Sequence, residues 1–175
     1  MRPTLKIISG GQTGVDRAAL DAALACGFPI GGWCPAARRA EDGIIPQRYA
    51  LIETASAKYP ARTTRNVRDA DATLIVTLGE LDSGSRLTAE VAGRLGKPCL
   101  IASLKSYPET IDLHELLPCM VDEAVLNIAG PRESRCPGIY ARAFGFLVTV
   151  LRTHQRAFPG NVIAPLGRYV AECRV

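Results

Sequence analysis

Short apolar segments of strand length alternate along this chain with segments of helical periodicity, and this alternation constrains the fold more than any other feature. The first pair is a predicted strand at Leu5–Ser9 and an alanine-rich predicted helix at Val15–Cys26, which ends at Gly27. Further strands are predicted at Ala72–Thr77, a β-branched run, and at Ala124–Ala129. Because strands separated by helices pair in parallel, we predict a single doubly wound α/β domain. Its mostly parallel sheet should carry helices on both faces.

The other elements are predicted from weaker patterns. A second strand is expected at Phe28–Trp33, and an irregular segment rich in charge follows from Cys34 to Tyr49. Thr63 or Thr64 is expected to cap a short helix at Arg65–Asp69. The remaining predictions are helices at Ser85–Leu95 and Ile111–Leu117, a strand at Cys99–Ala102, and a helix at Ile139–Arg156 with Tyr140, Phe144, Leu147 and Leu151 facing inward. Residues 1–158 are expected to form the domain, and 159–175 a C-terminal tail whose order the sequence does not determine.

Composition excludes several classes of protein. The 175 residues are 47% hydrophobic and 22% charged, and no apolar stretch is long enough to span a bilayer. The net charge is only +4 and is concentrated in the tail, so we do not expect the protein to bind nucleic acid. Six scattered cysteines and only two histidines offer no zinc-type cluster, so no metal ligated by the protein is expected. Without a signal-like N-terminus, we predict a cytoplasmic protein with reduced thiols.

The segment SGGQTG, Ser9 to Gly14, joins the first strand to the first helix and is the first candidate for function. Its glycines permit positive φ angles and a close approach of the backbone, and the helix after it presents free N–H groups that favour phosphate. Gln12 and Thr13 can add hydrogen bonds, while Asp16 and Arg17 lie in the first turn. The pattern is neither GxGxxG nor GxxxxGK[ST]. A tight turn without a ligand explains this loop equally well.

Three further polar loops should end at the same edge, because ligands of parallel α/β sheets bind beyond the carboxyl ends of the strands. DSGSRLTAE places Gly84, Ser85 and Thr88 at a helix start, although Asp82, Ser83 or Ser85 could simply cap that helix. AGPRESRCPG follows the last strand, and Trp33 with Cys34 ends the second. Trp33 could stack on a flat ring, and Cys34 is the best candidate for a soft metal or sulfur contact, although a buried structural role is the commoner alternative for both. Together the loops favour a phosphorylated ligand.

Catalysis is harder to support than binding. No set of nucleophile, base and orienting group is visible, since His114 and His154 fall on predicted helices away from the loops. If a reaction occurs, the candidate acids and bases are Glu41, Asp42, Glu90 and Glu133.

An ordered set of motifs resembles one known family. SGGQTGVDRAALDAA, GGWCPAARRAEDGIIP, the Tyr-x-x-Arg-Thr segment at Tyr59 to Thr63, NVRDADATLI, SGSRLTAEVA and LNIAGPRESRCPGI are similar to the putative molybdenum carrier family, from about Ile7 to Tyr140. The resemblance implies a Rossmann-like protein of the lysine-decarboxylase-type and DNA-processing protein A superfamily. It also implies a homo-oligomer that carries or stores molybdenum cofactor, a phosphorylated pterin whose dithiolene holds the metal. Molybdoenzymes would then receive the cofactor.

Two relatives of that family supply the alternatives. SGGQTGVDRAALDAAL and SGSRLTAEVAGRLGKP also resemble the phosphate-binding segments of DNA-processing protein A, which binds single-stranded DNA. Phosphoribohydrolases that cleave nucleoside monophosphates share the fold and a PGGxGTxxE signature, from which DSGSRLTAE departs, with Glu90 as the carboxylate in question. The ligand is predicted to contact Gly10, Gly11, Gln12, Thr13, Gly14, Asp16, Arg17, Trp33, Cys34, Gly84, Ser85, Thr88, Gly130, Arg132, Glu133 and Ser134.

Overall fold

The computed structural model of the chain describes residues 4–105, 111–117 and 123–157. Its strands are β1 (Thr4–Ile8), β2 (Ile30–Gly31), β3 (Trp33–Cys34), β4 (Arg39–Ala40), β5 (Gly43–Ile44), β6 (Ile52–Glu53), β7 (Ala72–Thr77), β8 (Cys99–Ser103) and β9 (Glu123–Ala129). Its helices are α1 (Val15–Ala25), α2 (Tyr59–Asp69), α3 (Ser83–Arg94), α4 (Leu113–Leu116) and α5 (Ile139–Ala157). The tail predicted from residue 159 lies outside the described residues.

Five strands form the central sheet in the order β2-β1-β9-β7-β8, and every pairing between neighbours is parallel. The register places Ile7 opposite Ile30 on one side and Leu126 on the other, so β1 is an interior strand. All six residues of β7 are buried, as expected for a strand covered on both faces. The predicted α/β class with a parallel sheet is confirmed.

The helices surround the sheet in two pairs. Helices α1 and α5 pack on each other over the larger core, which includes Leu74 and Val76 of β7 together with the alanines of α1. Small alanine side chains let α1 approach the strands closely. Helices α2 and α3 pack on each other around a second cluster that contains Val67 and Val91. The long α5 matches its predicted span.

The predicted strand at Phe28–Trp33 is interrupted in the structure. β2 joins the main sheet, whereas β3 pairs with β6 in a separate two-stranded sheet. Gly32 stands at the break with a φ of +124°, and a Cβ there would lie 2.3 Å from the carbonyl oxygen of Ser9. The chain turns here because only glycine fits against the neighbouring backbone.

The second helix was predicted too short and with the wrong cap. It begins at Tyr59 rather than Arg65, because Pro60 favours the first turn of a helix. Thr63 and Thr64 therefore lie inside the helix and cap nothing. The hydroxyl of Thr63 donates to the carbonyl of Tyr59, 3.2 Å away, in the preceding turn.

The long segment after β3 is organised around a buried arginine. Arg38 is 6% exposed, and its guanidinium donates to the carbonyl oxygens of Ile45, Pro46, Tyr49 and Leu51 at 2.9–3.1 Å. Arg38 is the last residue of a single turn of 3-10 helix, Ala36–Arg38, and the β4–β5 hairpin follows it. The arginine replaces the hydrogen bonds that this irregular backbone lacks, which explains how a segment without periodicity is held in one shape.

Candidate functional site

The loops after β1 and β9 meet at the carboxyl edge of the sheet. The backbone N–H of Val15 donates to the carbonyl of Pro131 at 3.2 Å, and the N–H of Glu133 donates to the hydroxyl of Thr13 at 3.3 Å. Arg62 of α2 reaches the same edge and forms an ion pair with Asp16 at 3.0 Å. The structure therefore brings together the first and last loops that the sequence indicated, with α2 beside them.

The glycines of these loops are required by contacts within the chain. Gly14 has a φ of +74°, and a Cβ there would lie 2.5 Å from the carbonyl oxygen of Pro131. A Cβ at Gly10 would overlap the guanidinium of Arg62, and one at Gly130 would lie 2.3 Å from the carbonyl oxygen of Val76. Close packing explains these glycines without a ligand, so evidence for an anion must come from charges and free donors.

A buried ion pair lies beside the opening loop. Asp16 is 2% exposed, and the side chain of Arg62 is 15% exposed. Burial raises the pKa of Asp16, and the charge of Arg62 opposes that increase. The carboxylate of Asp82, before α3, also raises the pKa of Asp16 to a lesser extent, and α3 packs on the helix that carries Arg62. Sequence reasoning did not select Arg62, although the Tyr-x-x-Arg-Thr segment contained it.

Two buried polar atoms at this site lack a hydrogen-bond partner within the described residues. They are Nε of Arg62 and Oγ of Ser85, near the start of α3. Asp82 is the N-cap of α3, since its carboxylate accepts from the N–H of Ser85 at 2.8 Å, while Thr88 donates back to the carbonyl of Gly84. A buried donor without a hydrogen-bond partner costs about 1–3 kcal/mol. An acceptor bound beside these atoms would therefore be stabilised. Gly84 is exposed at the same helix start.

A second group of predicted residues is held by the tip of the β4–β5 hairpin. The carboxylate of Glu41 accepts from the hydroxyl of Thr13 and from both the N–H and the hydroxyl of Ser134, and it forms an ion pair with Nε of Arg132 at 3.3 Å. Gln12 supports the contact, because its side-chain oxygen accepts from the N–H of Glu41 at 2.9 Å. Although burial alone would raise the pKa of Glu41, the hydrogen bonds from Ser134 and Thr13 and the charge of Arg132 lower it.

Two other predicted residues also have partners in their own chain. Asp42 forms a bidentate pair with Arg17, whose hydrogen bond and charge lower the pKa of Asp42. Glu133 caps α5, since its carboxylate accepts from the N–H groups of Gly138 and Tyr140. Both carboxylate oxygens of Glu133 therefore accept hydrogen bonds from the start of α5 rather than from a ligand.

Trp33 and Cys34, two further predicted ligand contacts, form the short strand β3. The indole N–H of Trp33 donates to Asp69 at 2.7 Å, and the guanidinium of Arg65 lies 4.5 Å from the ring centroid, so one ring face is covered. Cys34 is fully buried, and burial raises the pKa of its thiol. A soft metal could reach this sulfur only if the surrounding chain moved.

A groove of about 340 Å³ next to Thr13 and Gly14 was not anticipated. Asp21 of α1 lies in it and accepts from the hydroxyls of Tyr49 and Tyr140 at 3.0 and 2.8 Å. Tyr140 is 37% exposed, so its predicted inward orientation is wrong, whereas Leu147 is buried as predicted. There was little indication of this groove in the sequence, because its residues lie far apart in the chain. Asp21 and Tyr140 are separated by 119 positions.

Among the described residues there is no group of three or more His, Cys, Asp or Glu side chains that could hold a metal ion. In the same part of the chain, no helix has the length and apolar character needed to cross a membrane. Glu90, the carboxylate considered for hydrolysis, is exposed on α3, whereas Ser85 and Thr88 are buried.

Comparison with known proteins gives two matches. The model of the Circularly permutated YpsA SLOG family matches residues 7–151. A crystal structure from Syntrophus aciditrophicus SB, of a protein named putative molybdenum carrier protein, is 42% identical, with a TM-score of 0.74. That alignment covers 85% of this chain and 96% of the other. The comparison with curated proteins gives no match.

The chain belongs to the Circularly permutated YpsA SLOG family, since the family model spans most of its length and the similar structure shares its fold at high identity. The family resemblance inferred from the ordered motifs is confirmed.

Proposed function

We propose that this protein binds a phosphorylated heterocyclic molecule at the carboxyl edge of its sheet, and that molybdenum cofactor is the molecule it carries. The name of the 42%-identical protein, a molybdenum carrier, supports the identity of the cargo. The geometry supports the chemical class, because the donors at this edge are suited to phosphate oxygens.

The observation that carries the proposal is the pair of unpartnered buried atoms, Nε of Arg62 and Oγ of Ser85. Arg62 already neutralises Asp16, so its remaining N–H is available to an acceptor without breaking the ion pair. Ser85 lies in the first turn of the 12-residue helix α3, where the dipole favours negative charge. Each atom would gain a hydrogen bond to a phosphate oxygen placed beside it.

The cofactor fits this chain in part. Gly84, Ser85 and Arg62 would hold its phosphate, with Thr88 beside them. The face of Trp33 covered by Arg65 is not open to a pterin ring. The dithiolene of the cofactor supplies the ligands for molybdenum, so the protein needs only to bind, orient and shield the cargo from water.

Cofactor binding can be measured directly. We would titrate the protein anaerobically with molybdenum cofactor released from a molybdoenzyme, and follow retention by native mass spectrometry and the survival of reconstituting activity over time. Arg62→Met should lower affinity at least about tenfold, the equivalent of one lost charge-assisted hydrogen bond. Arg68→Met is the matched control, because Arg68 is exposed on the same helix and pairs only with its neighbour Asp69 among the described contacts.

Because Arg62→Met strands a buried carboxylate, the double variant Asp16→Asn/Arg62→Met separates folding from binding. Retention of neither molybdenum nor pterin by the wild-type protein would overturn the carrier proposal. Release of free base from nucleoside monophosphates would support the hydrolase alternative, which the exposed position of Glu90 does not favour. Homo-oligomer formation and transfer to molybdoenzymes remain predictions.

A further inference from the structure

The hydrogen-bond donors around Glu41 form a set that suits a different kind of acceptor. A hydroxyl from Thr13, an N–H and a hydroxyl from Ser134, and the guanidinium of Arg132 all point at one carboxylate. They come from two loops at the carboxyl edge of the sheet, and Glu41 comes from a separate hairpin. Several neutral donors and one arginine around a single small group are the usual composition of a binding site for a tetrahedral oxyanion.

The hairpin that supplies Glu41 is held at its base by buried groups, and at its tip by the side-chain contacts of Glu41 and Asp42. Arg38 and the fully buried Ile45 fix the base. Only two residue pairs join β4 to β5, and at the tip Gly43 has open space around it. Apart from its backbone bond to Gln12, the described contacts that hold Glu41 are those of its carboxylate.

The site is also reachable from solvent. The side chains of Arg132 and Glu41 are 33% and 18% exposed. An anion could therefore approach the donors while the carboxylate leaves, without a change in the core. Asp42, which pairs with Arg17 of α1, lies on the same hairpin tip and would move with it.

We propose that Thr13, Arg132 and Ser134 form an oxyanion-binding site of their own, in which the carboxylate of Glu41 takes the place of a phosphate-like anion until that anion displaces it. Its residues are other than Arg62 and Ser85, and the inference does not depend on the identity of the cargo. The exchange breaks no covalent bond. The entering anion accepts the hydrogen bonds that Glu41 gives up, and Glu41 moves into water.

The test measures binding of inorganic phosphate, sulfate and molybdate by isothermal titration calorimetry, in a buffer free of oxyanions. Glu41→Ala should bind these anions at least about tenfold more tightly than the wild-type protein, because the competing carboxylate is gone. Glu41→Gln keeps the size of the side chain and should give a smaller gain. Glu123→Ala removes the same charge from an exposed residue at the other end of β9 and should give none.

A second set of variants locates the gain. Arg132→Met combined with Glu41→Ala should return the affinity to the wild-type level, whereas Arg62→Met combined with Glu41→Ala should keep the gain. The site would be refuted if the gain in anion affinity persisted without Arg132. It would also be refuted if the wild-type and Glu41→Ala proteins bound the anions equally. Unfolding of both Glu41 variants, seen by circular dichroism, would refute it too, because Glu41 would then be a structural tie rather than a displaceable occupant.

Discussion

Replacing Gly14 by alanine tests whether the opening loop is built around its own chain or around a ligand. The backbone at Gly14, with a φ of +74° and a ψ of −130°, is a conformation that side chains with a Cβ avoid, and it costs an alanine at least about 1–2 kcal/mol. The new Cβ would also lie 2.5 Å from the carbonyl oxygen of Pro131 and 2.8 Å from the N–H nitrogen of Glu133. Both neighbours are backbone atoms that the last loop holds in place, so relief requires movement of that loop and adds about 1–3 kcal/mol.

Gly96 provides a control in which only the first cost applies. Its φ is +63°, and an added Cβ would meet nothing within 4 Å. Gly14→Ala should therefore lower the free energy of unfolding by about 2–5 kcal/mol, against about 1–2 kcal/mol for Gly96→Ala. Guanidinium unfolding followed by circular dichroism measures both values without any ligand present. If the two variants lose the same unfolding free energy to within about 0.5 kcal/mol, the packing explanation is refuted. Gly14 would then be explained by contact with a ligand.

Three further predictions follow from buried polar groups. Burial and the nearby His114 lower the pKa of His154, while Asp112 partly opposes them, so the unfolded chain binds the proton more readily. Stability should therefore fall as pH drops below about 6.5 in urea titrations, and His154→Asn should flatten that dependence. Arg38→Met should cost about 2–4 kcal/mol of unfolding free energy, whereas Arg68→Met should change it by less than about 0.5. In the native protein, alkylation mapped by mass spectrometry should spare the buried Cys34 and modify the half-buried Cys136; equal rates would contradict the burial of Cys34.

The elements that sequence predicted well are those whose pattern is determined locally. β7 is a β-branched run buried along its whole length, and α1 repeats small apolar residues at helical spacing, so each carries its own signal. The helix α2 was predicted too short because its sequence, YPARTTRNVRD, is largely polar and shows little apolar periodicity. The break at Gly32 was missed because its cause, the backbone of Ser9, lies just after β1 and is distant in sequence.

The same distinction applies to the site. Parallel topology was enough to predict that the loops after β1, β7 and β9 would meet. It could not predict the partners of individual side chains, because these are separated widely in sequence. Glu41 contacts Ser134, which is 93 positions away, and Arg62 pairs with Asp16 from another helix. A charge in an irregular segment gives no local indication of which loop it will reach.

The pairing of the arginines sets the order in which anions should bind at this edge. Arg17 and Arg132 are each paired with a carboxylate of the hairpin tip, so an anion must displace Asp42 or Glu41 to use them. Arg62 is paired with Asp16 but keeps one unpartnered N–H, so it can accept an anion without losing its pair. The first anion should therefore bind beside Arg62, where no ion pair has to break. Binding beside Arg132 should follow only when the free energy of the new contacts exceeds that of the carboxylate they replace.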